Sequence, residues 1–136
     1  MDFKKLWVLS LALALILALC GCGKQLAPVD IDLSGMDGPE AYAAFMQIAE
    51  NPQDYEGKTV RVKGFFGTLH SEAMDRYYYS CDVKDKDGCC TESMEFILPE
   101  GVSYLNRGDE IIVSGTYELY EEDGCIYGQL VNAVLE

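Results

Sequence analysis

The chain has 136 residues, 49% of them apolar, which suffices for one domain with its own core once targeting segments are set aside and is too little for two. Ten Lys and Arg stand against 23 Asp and Glu, a formal charge of -13. A surface this acidic repels phosphate backbones and anionic lipid heads, so the expected partners do not include nucleic acid.

The first residues are laid out as an export signal, with Lys4 and Lys5 ahead of an apolar run of 14 residues from Leu6 to Leu19. That run is short for a membrane span, which takes about 20 residues. Two cysteines close it in Leu19-Cys20-Gly21-Cys22. Small Gly21 before Cys22 suits the cleavage site of a lipoprotein signal, whereas bulky Leu19 before Cys20 does not, so Cys22 is the expected lipid acceptor. The segments then read as a signal peptide over 1–21, a lipidated tether over 22–36 and a folded domain over 37–136. Removing 1–21 leaves 22 acidic and 8 basic residues and a charge of -14.

The tether, rich in Gly, Pro, Asp and Ser, suits a flexible linker. Asp37 then stands where a helix cap belongs and Pro39 in the first turn. Tyr42, Phe45, Met46 and Ala49 follow at helical spacing, predicting one amphipathic helix that packs on a sheet and stops before Asn51-Pro52.

From Gly57 the pattern alternates. Gly57-Lys58-Thr59-Val60-Arg61-Val62-Lys63-Gly64-Phe65-Phe66 is matched 51 residues later by Gly108-Asp109-Glu110-Ile111-Ile112-Val113-Ser114-Gly115-Thr116-Tyr117. The shared interior glycine predicts a bulge or bend in the first and fourth strands. A second strand spans about Arg76 to Val83, a third Thr91 to Leu98, and a fifth Ile126 to Leu135 after the turn Glu121-Glu122-Asp123-Gly124. The expected fold is mainly β: a small five-stranded OB-like barrel preceded by one amphipathic helix, with an SH3-like barrel or an incomplete sandwich as the alternative.

The second strand puts Tyr77, Tyr79, Cys81 and Val83 on one face, and the third puts Met94, Phe96 and Leu98 there, with Cys90 by parity. A four-residue loop, Lys84 to Asp87, would pair Val83 with Gly88 and Cys81 with Cys90. Opposed residues lie about 4.5–5.5 Å apart, within reach of a disulfide, and Cys89 would face outward. For Cys81, Cys89, Cys90 and Cys125 three chemistries stay open: disulfides or buried thiols, a thiophilic metal site, and a redox dithiol. No Cys-x-x-Cys is present to favour the last.

Signal, lipobox, helix, Tyr55-Glu56-Gly57-Lys58, the Cys81…Cys89-Cys90…Glu95-Phe96 hairpin and Gly115-Thr116-Tyr117 together resemble OB-fold-like surface lipoproteins of low-GC Gram-positive bacteria. The paired-cysteine hairpin is similar to one beside a family of permease subunits. The resemblance implies an envelope location and a barrel, and no established activity. Its late cysteine follows a strand-five aromatic, where this chain has Tyr127-Gly128, with Cys125 earlier.

Other motifs read as structure. Asp85-Lys86-Asp87-Gly88 lacks calcium ligands at the loop ends, where Val83 and Met94 would fall, and is a polar turn. His70 is expected in a solvated loop after the first strand. Tyr78, with Ser80 and Glu95, forms a candidate binding face, since OB-like barrels stack ligands on strands two and three. No acid, base and nucleophile converge, so no enzyme and no cofactor are expected. The reading is a lipid-anchored binding or interaction module on the extracytoplasmic side of the cell membrane, its partner an envelope protein or transporter; the alternative is a cysteine-based metal-binding or thiol-redox protein.

Overall fold

The structure, a computed structural model, describes residues 26–102 and 105–136. Cys22 and the segment read as an export signal lie outside them. Its elements are strand β1 (Ile31–Asp32), helix α1 (Gly38–Glu50), a 3-10 turn at Pro52–Asp54, and strands β2 (Thr59–Ser71), β3 (Arg76–Lys84), β4 (Thr91–Phe96), β5 (Glu110–Glu122) and β6 (Cys125–Leu135). The helix forms where the cap and the proline predict it. Asp37 Oδ1 accepts the Glu40 amide at 3.0 Å, and Pro52 ends the run after the Asn51 amide reaches Gln47 O. Its buried stripe is Ala41, Phe45 and Ile48, set against β3 and β4. Only Phe45 of the expected stripe is fully buried; Tyr42 and Met46 flank it and Ala49 is exposed.

The five long strands close into a barrel in the order β2-β3-β4-β6-β5, with β5 returning to β2. Closure rests on β2, which pairs with β5 from Thr59 to Phe65 and with β3 from Phe65 to Ser71. The bend needs Gly64: a Cβ there would lie 2.4 Å from the Asp82 carbonyl oxygen and 2.9 Å from Cys81 Sγ. Gly115 answers a different demand. Between Ser114 and Thr116 the register with β6 shifts by one residue, with Asn132 at φ 51°, so the extra residue of the bulge is on β6 and Gly115 makes room opposite the Val131 carbonyl. Asp123-Gly124, both at positive φ, turn β5 into β6 in two residues. Inside, Val60, Val62, Cys81, Val113 and Leu130 are wholly buried, with Phe96 and Met94 beside them.

Two expectations change. The stretch assigned to a tether is partly barrel: β1 pairs in parallel with β2, and Leu33 joins the core. The alternation Val29-Asp30-Ile31-Asp32-Leu33 explains it, since it offers Ile31 and Leu33 to one face. His70 is on strand β2, opposite Tyr77, because β2 runs five residues past Phe66.

The N-terminal segment is fixed by Arg61, itself 2% exposed. Its guanidinium donates to both carboxylate oxygens of Glu136, at 2.9 and 3.1 Å, to Asp32 at 2.8 Å and to the Ala27 carbonyl. Ser114 Oγ also donates to Glu136, and Thr59 binds Asp30 through its amide and hydroxyl. The bidentate pair with Glu136, and then Asp32, keep Arg61 charged despite burial. Partial burial opposes ionisation of Asp32, but the Ser34 hydroxyl and Arg61 outweigh it and hold the carboxyl below its ordinary pKa. Asp32 therefore contributes stability at neutral pH that is lost as the pH falls through that lowered value.

Removing the guanidinium takes away the hydrogen bonds it gives to Glu136, Asp32 and the Ala27 carbonyl. Arg61→Met should lower stability by about 3 kcal/mol or more, read as a lower urea midpoint at unchanged slope. Asp32→Asn, at a side chain 45% exposed, should cost under about 1 kcal/mol.

Candidate functional site

On the outer face of β3 the even positions carry Arg76, Tyr78 and Ser80, and β4 adds Glu95 opposite Ser80. The β5–β6 hairpin reaches them with Tyr120 and Glu122. Arg76 is the hub: its guanidinium lies 4.5 Å from the Tyr78 ring centre and 5.9 Å from that of Tyr120. It contacts Glu122 at 3.1 Å and Glu95 at 3.6 Å. The Tyr78 hydroxyl donates to Glu122 at 2.8 Å and the Tyr120 hydroxyl to Glu95 at 2.6 Å. The three residues expected to form the face thus lie together, with Arg76, Tyr120 and Glu122 added from positions 46 apart in the chain at most.

Beside this cluster is a cleft of ≈ 600 Å³. Its origin is in the pairing of the parallel strands β4 and β6, which is confined to Glu95↔Gln129 and Phe96↔Leu130. Upstream the two strands part, and Glu92–Met94 and Ile126–Gly128 become opposite walls. Phe45, Ile48, Tyr117 and Leu119 supply apolar surface, and Tyr78, Glu95 and Tyr120 the polar rim. Gly128 is required at the wall, because a Cβ would overlap the Tyr117 hydroxyl.

Burial pushes the Glu95 carboxyl up, against the pull of the Tyr120 hydroxyl and Arg76. The hydrogen bond to Glu122 raises the Tyr78 phenol, and burial with the Glu95 bond raises Tyr120. Both phenols therefore keep their protons at physiological pH, each given to a glutamate, and offer the cleft oxygen lone pairs and ring surface. This chemistry suits stacking and hydrogen bonding.

Tyr77, expected in the core with Tyr79, is 59% exposed. Its parity is inward, but this end of the β2–β3 hairpin extends past the packed core, and Tyr77 instead covers His70 with ring centres 4.4 Å apart.

The cysteines separate. Cys81 is wholly buried and pairs with Met94, and the turn runs over six residues from Asp85 to Cys90, between the paired Lys84 and Thr91. The expected Cys81–Cys90 pairing is corrected by a shift of four positions, an even number, so both strands keep the faces that parity assigned. Cys90 then lies in the turn, its carbonyl accepting the Asp85 amide at 3.0 Å. Cys89 and Cys90 are both exposed in the turn, so Cys90 does not take the inward place expected of it, and Cys125 is exposed at the first position of β6, opposite Glu122. Cys81, Cys89, Cys90 and Cys125 do not converge; the group that does form is Asp85, Cys89 and Cys90.

No protein-family model matches the chain, and no curated protein matches it. A crystal structure from Klebsiella pneumoniae, of a lipoprotein to which nucleic-acid binding is ascribed, is similar at 22% identity and a TM-score of 0.47, covering 70% of this chain and 87% of its own. The expectation that nucleic acid is no partner is corrected by this finding. It came from net charge alone, which describes the whole surface and no one face of it.

Burial pushes the Cys81 thiol up to about 12. In the folded, reduced chain at pH 8, iodoacetamide should modify Cys125 and leave Cys81 untouched until denaturant is added. Peptide mapping that finds Cys81 labelled as fast as Cys125 would place it outside the core.

Proposed function

We propose that the chain is a lipid-anchored envelope protein, attached through Cys22, whose barrel is a binding module that takes its ligand in the cleft between β4 and β6. The single observation that carries the reading is the cleft itself, where parted strands expose apolar walls beneath a rim of Tyr78, Tyr120 and Glu95 that Arg76 braces from outside. A site built from aromatic faces and oxygen acceptors fits a ligand with a flat or apolar group and a polar or cationic edge. Among the described residues no helix is long and apolar enough to cross a membrane.

Attachment at Cys22 would keep the module close to its membrane. Ala27 is already tied to Arg61, and the five residues from Cys22 to Ala27 span at most about 18 Å fully extended. The cleft then serves a partner or ligand at the membrane surface.

Cys22→Ala should leave an unprocessed precursor or move the chain to the soluble fraction, while Cys20→Ala should leave it membrane-bound; the opposite pattern would assign the lipid to Cys20. For the cleft, an NMR screen with small aromatic, sugar and nucleobase fragments should produce shifts at Tyr78, Glu95, Tyr120 and Tyr127. Tyr120→Ala should weaken those hits about tenfold, in line with the loss of one stacked contact. Hits that cluster elsewhere, or survive Tyr120→Ala unchanged, would overturn the assignment.

A further inference from the structure

We infer that the β3–β4 turn is a binding site for a thiophilic divalent cation of the zinc class, held by Asp85, Cys89 and Cys90. The turn places the three ligand atoms within 4.8 Å of one another. Cys89 Sγ stands 3.7 Å from Cys90 Sγ and 3.3 Å from Asp85 Oδ2. Two thiolates on one tetrahedral zinc, with bonds near 2.3 Å, lie about 3.8 Å apart, and a thiolate and a carboxylate oxygen about 3.5 Å. The donors are therefore spaced for a shared ion before any ion arrives.

The backbone explains why they are. Asp85 N donates to Cys90 O, Gly88 N to Asp85 O, and Cys90 N to Asp85 Oδ1 at 3.3 Å, so the carboxylate is locked over the paired cysteines. Gly88 takes the φ of 68° that lets the chain turn back toward them. The charge is also left for an incoming cation: Asp85 makes no ion pair among the described residues, and the ammonium of adjacent Lys84 lies over the Phe65 ring, 5.4 Å from its centre. Two sulfurs and one oxygen favour zinc or cadmium over calcium or magnesium, which take oxygen alone.

Binding is a proton-for-metal exchange. Each S–H bond breaks as a metal–sulfur bond forms, both protons pass to the buffer, the carboxylate is already ionised, and no electron moves. Affinity should accordingly rise with pH. Both cysteines are exposed, so a fourth position stays open to water or to a donor from another molecule, as an exchangeable ion requires. The turn follows Lys84, the last residue of β3, whereas the rim of the cleft is built on Arg76, the first. The two proposals can therefore fail separately.

The test uses the full chain in detergent under a non-thiol reductant, with Cys20→Ser and Cys22→Ser so that Cys81, Cys89, Cys90 and Cys125 remain. Calorimetric titration with Zn²⁺ in buffers of different ionisation enthalpy should give one ion per chain and about two protons released. Co²⁺ should show thiolate charge-transfer absorption that Zn²⁺ removes. Cys89→Ser and Cys90→Ser should each weaken binding at least about 100-fold, beyond the 10–100-fold that losing an outer-shell partner costs; Asp85→Asn should weaken it less, and Cys125→Ser not at all. Circular dichroism of each variant reports folding. The inference is overturned by no Zn²⁺ uptake in the folded chain, by uptake that survives Cys89→Ser and Cys90→Ser, or by uptake lost with Cys125→Ser.

Discussion

The bend of β2 at Gly64 and Phe65 is the constraint from which the rest of the architecture follows. One strand of 13 residues has to bond β5 with its first half and β3 with its second, and Phe65 pairs with both Glu110 and Asp82. Only a residue without a side chain fits where the backbone of β3 crosses so close. Given that corner, β5 and β3 become barrel neighbours of one strand, and the β5–β6 hairpin is carried to the face that holds Arg76 and Tyr78. The remaining seam, between β4 and β6, is paired over two residues and then opens. The cleft is the part of the barrel that closure leaves unzipped.

Polar groups then fix what the hydrophobic core leaves loose. Arg61 binds Glu136, just past β6, and the entering segment at Asp32 and Ala27, so one buried cation ties both segments to β2. Arg76 does the comparable task at the surface, where its contacts with two tyrosines and two glutamates set the rim of the cleft. A buried pair such as Arg61–Glu136 contributes little net stability over an apolar replacement, yet strongly opposes any arrangement that separates its partners. Its effect is to specify where the chain enters the barrel.

Local signals were legible in the sequence and long-range ones were not. Asp37 and Pro39 announced the start of α1, Pro52 its end, and Asp123-Gly124 the β5–β6 turn, because each acts within a few residues. The repeated Gly-x-x-Val/Ile-x-Val-x-Gly pattern exposed β2 and β5 and both special glycines. Register escaped, since pairing Cys81 with Cys90 or with Met94 satisfies the same alternation of faces, and only packing chooses the longer turn. The roles of Arg61, Arg76 and Tyr120 escaped as well: their partners lie 75, 46 and 25 residues away. Val29, Ile31 and Leu33 did carry a signal for β1, too short to stand out from a linker.

The parting of β4 from β6 is tested most directly by native-state hydrogen exchange read residue by residue. The Ile97 amide, bonded to the Leu130 carbonyl at 2.9 Å, should exchange only with global unfolding. Amides of Glu92–Met94 and Ile126–Gly128 that face the cleft should exchange orders of magnitude faster, while those of the same strands turned toward β3 and β5 stay protected. Uniform protection along both edges would show a barrel zipped through its whole seam, with no cleft for a ligand to enter.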